Sequence, residues 1–134
     1  MPEDKFDAER VRDYWLIEAE EALRVAGHLV ETKDYSYALF FGHLAVEKML
    51  KALFAVTNNQ HPPYGHNLGR LARHIGLEIS EERAKDLDLV TTFNLEARYP
   101  DERRKFRALC TPEYTQKQMA LIKELFQWLR SHLK

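Results

Sequence analysis

With a single cysteine, Cys110, in 134 residues, the chain can form no internal disulfide, which fits a reducing compartment. A lone thiol can act as a nucleophile, but beside Thr111 it reads first as a small apolar filler. Glycine and proline are also scarce, five of each, and no glycine-rich phosphate loop, CxxC or HExxH occurs. His61 and His66 share a loop region without a Cys or an acid at ligand spacing, so neither a metal nor another cofactor is expected. Charge of one sign is missing as well. The formal net charge is −1, so no global field draws in RNA, DNA or a membrane, and any nucleic-acid contact has to come from a local patch. No apolar run approaches the length needed to span a bilayer. The opening MPEDKFDAER lacks the apolar stretch of a signal peptide. The expected address is the cytoplasm, away from membranes.

What is present is a globular balance, 45% apolar and 31% charged residues. The length suits one domain over residues 1–134, with a core that needs no staple. Periodicity predicts helices and no strand. In residues 9–31, Trp15, Ala19, Ala22, Ala26 and Leu29 recur at steps of four and three, which aligns them on one helical face. A second helix is predicted over 34–57, with Asp34 as N-cap. Two stripes run along it, one through Ala38, Phe41, Ala45, Met49 and Ala52, the other through Leu39, Val46, Leu50 and Leu53. A helix apolar on so much of its surface belongs at the centre of a bundle.

Pro62 and Pro63 break the chain in a loop over 58–65. A short helix follows over 67–75 with Gly76 as its stop. Ser80, followed by Glu81 and Glu82, starts a fourth helix that carries Leu87, Val90, Asn94 and Ala97 and ends before Pro100. Residues 101–110 read as a charged connector. Thr111, Pro112 and Glu113 give N-cap, N1 proline and acid for a last helix to about residue 132. The predicted fold is all-α, an up-and-down bundle of four to five antiparallel helices.

Three constellations carry chemistry. His43 and Glu47 are four apart on the second helix, where their side chains can meet, and Lys48 and Lys51 flank them within reach of a phosphate. Glu47 stands beside an apolar face and so needs a partner, for which Arg98 is the candidate. His66 or Asn67 can cap the short third helix, whose free N–H groups also suit an anion. Arg98, Tyr99 and Asp101, fixed around Pro100, form a polar corner suited to bidentate pairing, followed by the basic run Arg103, Arg104, Lys105 and Arg107.

The run ALFFGHLAVEKMLKA over residues 38–52, then His66-Asn67-Leu68, then Ala97-Arg98-Tyr99-Pro100, resembles the HEPN family, the higher eukaryote and prokaryote nucleotide-binding domains. The likeness spans residues 14–129. It implies a bundle of four or five helices that is usually homodimeric. It also implies two roles. Many small prokaryotic members are partners of minimal nucleotidyltransferases, often in toxin–antitoxin pairs. Others are metal-independent ribonucleases marked by Arg, four to six residues, then His. Here the close pairs are Arg24/His28 and Arg70/His74, each with three residues between, and Arg130/His132 with one. That departure favours a nonenzymatic module that binds a nucleotide, RNA or a nucleotidyltransferase subunit. The alternatives are an RNase toxin whose site uses His43 or His66 with Glu47 and Arg98, and a purely structural dimerisation domain in which Glu47 and Arg98 pair.

Overall fold

A computed structural model describes residues 5–133. Six α-helices and one 3-10 turn, with no strand among the described residues, build a helical bundle. The helices are α1 (Ala8–Glu31), α2 (Tyr35–Asn58), α3 (Leu68–Ile75), α4 (Glu81–Thr91), α5 (Pro100–Leu109) and α6 (Pro112–Arg130), with the 3-10 turn at Leu95–Ala97. No described helix is long and apolar enough to cross a membrane.

The helix starts follow local chemistry. Asp7, Asn67, Ser80 and Thr111 each accept a hydrogen bond from the backbone N–H three residues on. Gly76 ends α3 at φ +84°, a left-handed geometry that a side chain would strain. α2 is the axis of the bundle. Fifteen of its 24 residues are buried, against three of the same number in α1. α1 lies along it, joined by residues 32–34 only, and α3, α5 and α6 pack around the rest. Gly42 lets α6 approach closely: a Cβ there would sit 2.6 Å from Ile122 Cδ1.

The expected fourth helix stops early, at Thr91, because Asn94 turns its side chain to the Glu96 N–H and caps the 3-10 turn instead. Asn94 and Ala97 therefore do not continue the face of Leu87 and Val90. The expected connector over 101–110 is helix α5. Pro100 begins this helix at its first position, Asp101 and Glu102 complement the dipole, and Phe106 anchors it in the core against Phe93.

Candidate functional site

Successive turns of α2 carry Ser36, Phe40, His43, Glu47 and Lys51 along one side. Three of these are titratable groups taken deep into the bundle. His43 is fully buried, Glu47 is 4% exposed and Lys51 is 8% exposed. Glu47 holds the centre. It accepts from Lys51 Nζ at 3.3 Å and from His66 Nδ1 at 2.7 Å, while His43 Nε2 lies 3.8 Å from Oε1. A carboxylate cannot donate, so in this short contact His66 donates from Nδ1 to Glu47. Nε2 is left without a hydrogen-bond partner among the described residues, on a side chain that is half exposed.

His43 supports the loop that delivers His66. Its Nε2 donates to the His66 carbonyl at 3.3 Å, and its ring stacks on Phe40. Burial holds the His43 imidazole below its ordinary pKa, against the opposing pull of Glu47. The unpartnered Nδ1 fits a neutral ring with an unmet lone pair. On the other side of Glu47, the ammonium of Lys51 lies 5.0 Å from the centre of the Trp15 ring, with Lys48 at 5.7 Å.

His66 also lines an open cleft of about 310 Å³ at the start of α3, with Tyr64, Asn67, Arg70 and His74. Tyr64 is fully exposed. Asn67 caps α3 through Arg70 N at 2.9 Å, so the cap is Asn67 and not His66. The cleft offers an aromatic face, a guanidinium and two imidazoles. Among the described residues, no three His, Cys, Asp or Glu side chains gather to hold a metal ion.

The expected pairing of Glu47 with Arg98 does not form. Arg98 donates from Nε to the Thr92 carbonyl at 3.0 Å, and its Nη2 reaches the same oxygen. Its guanidinium lies 4.5 Å from the Phe106 ring centre. The early end of α4 exposes that carbonyl, and Arg98 closes it. Arg98, Tyr99 and Asp101 share no hydrogen bond, ion pair or ring contact with the Glu47 group. Tyr99 is exposed, and Asp101 faces Arg104 on the surface at 3.6 Å. Arg103 donates to the carbonyls of Leu95 and Arg98, which ties down the same corner. Trp15 was visible in the sequence only as a core residue. Its neighbour Tyr14 is exposed, which marks this helix face as a boundary rather than an interior.

The family model for the HEPN domain matches residues 13–132. The chain belongs to the HEPN family. Two solved structures share this HEPN fold. TT1696 from Thermus thermophilus superposes with a TM-score of 0.77 at 24% identity, covering 93% of this chain and 99% of that one. ST0689, an archaeal HEPN homologue, superposes with a TM-score of 0.66 at 17% identity, covering 92% and 98%. No curated protein matches the chain. Within the HEPN bundle, the stretch 38–52 that carried the resemblance is the buried run of α2, and its His43 and Glu47 are the residues that hold His66 in place.

Proposed function

We propose that this HEPN domain is a nucleotide-binding module whose ligand lies in the cleft at the start of α3, and that it works as a homodimer or beside a minimal nucleotidyltransferase subunit of toxin–antitoxin type. The observation that carries the reading is the 2.7 Å bond from His66 to a buried carboxylate. A carboxylate is costly to bury, and here it fixes an imidazole whose free nitrogen stands at a cleft. Arg70 supplies charge for a phosphate, and Tyr64 supplies a face for a base. The partner surface is the outer side of α1, where Tyr14 and Ile17 stand 56% and 66% exposed one turn apart. Titration of the chain with AMP and ATP by calorimetry tests the site. His66→Ala and Arg70→Gln are each expected to weaken binding about tenfold. Folded variants that bind as the wild type does would remove the cleft from contention.

A second reading, metal-independent RNA cleavage, is favoured by one observation. Arg70 and His74 lie one turn apart on α3 and border the same cleft as His66. His66 Nε2 would take a proton from a ribose 2′-hydroxyl, His74 would protonate the leaving oxygen, and Arg70 would stabilise the phosphate. Single-stranded RNA incubated with EDTA should then be cut, and the cutting should vanish in His66→Ala and in His74→Ala. Activity that survives both changes belongs elsewhere.

A further inference from the structure

The turn between α1 and α2 opens onto a second cavity, of about 370 Å³, bordered by Lys33, Asp34, Ser36 and Tyr37 and, from the α5 side, by Arg107 and Cys110. Its volume lies in the range of about 300–1,000 Å³ usual for small-molecule sites. It is separate from the cleft at α3. Ser36 and Glu47 are eleven residues apart on one helix, roughly 16 Å at the rise of an α-helix.

α2 begins at this cavity without a side-chain cap. Asp34 occupies the N-cap position, but its carboxylate accepts from the Thr32 hydroxyl at 2.6 Å instead of from the first turn. The N–H groups of Tyr35, Ser36 and Tyr37 therefore have no acceptor among the described residues. Such groups, with the positive end of the helix dipole behind them, favour an anion.

A second observation points the same way. Ser36 is 6% exposed and borders both this cavity and the smaller one beside it. Its side chain makes no hydrogen bond to any described residue, and its hydroxyl is not among the polar atoms sealed off from solvent. Ser36 thus lines the cavity with the hydrogen-bonding capacity of its hydroxyl unused by the described residues. Lys33 and Arg107 are exposed, and neither is in an ion pair with a described residue. They outnumber the one carboxylate, Asp34, at the rim. Cys110 adds no competing negative charge, because burial pushes its thiol pKa up to about 11.

We infer that this cavity binds the phosphoryl group of a small molecule, either free phosphate or a nucleoside monophosphate. The amides of residues 35–37 and the Ser36 hydroxyl donate to its oxygens, and Lys33 and Arg107 balance its charge. An amide NMR titration of the full chain with inorganic phosphate, AMP and adenosine, at constant ionic strength, tests this. Phosphate and AMP should give saturable shifts at residues 35–37, and adenosine none. Arg107→Gln and Lys33→Gln should each weaken the response about tenfold, Ser36→Ala about threefold, and Arg70→Gln not at all. Tighter binding of AMP than of phosphate makes a nucleotide the source of the group, and equal binding makes it free phosphate. Absence of saturation, shifts confined to residues 66–70, or an unchanged response in Arg107→Gln would overturn the assignment.

Discussion

Replacing Glu47 with Gln removes one charge from the interior and almost no volume. In the native protein the Glu47 carboxylate and the Lys51 ammonium are both at least nine-tenths buried and 3.3 Å apart. Removing one partner of such a pair costs about 3–5 kcal/mol, because the other charge stays behind in poor solvent. The Trp15 face 5.0 Å from Lys51 Nζ offsets part of this, roughly 1–2 kcal/mol. A net loss of about 2–3 kcal/mol follows. At roughly 3–5 °C per kcal/mol for a chain of this size, the melting temperature should fall by about 6–15 °C. The amide carbonyl still accepts from His66, so the loss reports the charge and not the imidazole bond. Thermal denaturation followed by circular dichroism at pH 7 reads it. The double variant Glu47→Gln/Lys51→Met provides the control. Met keeps the packing on Trp15 without the cation, so the double variant should recover at least half of the loss. A single variant that melts within about 2 °C of the wild type would refute the argument, as would a double variant carrying the full sum of the two single losses.

Arg98→Ala should lower stability by about 1–2 kcal/mol, through the lost cap on the Thr92 carbonyl and the uncovered Phe106 ring, while AMP binding stays unchanged; denaturant melts and calorimetry separate the two effects. Gly42→Ala places a Cβ against Ile122, itself fully buried, and should destabilise by about 1–3 kcal/mol despite the better helix propensity of Ala, as seen in the urea midpoint. His43 has a depressed pKa, so the unfolded chain takes up its proton first as pH falls. Stability should hold above pH 6.5 and decline below it, by up to about 1.4 kcal/mol per pH unit, with a shallower decline in His43→Gln when urea melts are compared at pH 7.5 and 5.5.

Much of the bundle was legible because helix starts are written in short-range chemistry. Asn67, Ser80 and Thr111 cap where their side chains announce it. The density of apolar residues in α2 placed it at the centre. The misreadings occurred where a residue had two local options. Asn94 fits a helical face as well as a cap, and the cap prevailed. Pro100 ends one helix or begins the next, and here it begins α5. Asp34 sits at the N-cap position yet binds the Thr32 hydroxyl. The polar group was half legible. Spacing along α2 put His43, Glu47 and Lys51 on one side, but the other partner of Glu47, His66, came from a loop 19 residues on, which no periodicity encodes. Arg98 was the obvious cation by charge. Its length and its position beside an open carbonyl sent it elsewhere.

The three-residue connection between α1 and α2 bears on how the chain folds. Two helices of 24 residues meet along their length after closing a loop of residues 32–34, so little chain entropy is lost before their contacts form. The central helix is therefore expected to acquire its first neighbour from adjacent sequence, with α6 docking later onto a surface that already exists. In kinetic terms, changes between α1 and α2, such as Ala22→Gly, should slow folding. Changes on α6, such as Ile122→Val, should chiefly speed unfolding. The same helix that carries the polar line would then be the template on which the rest of the domain assembles.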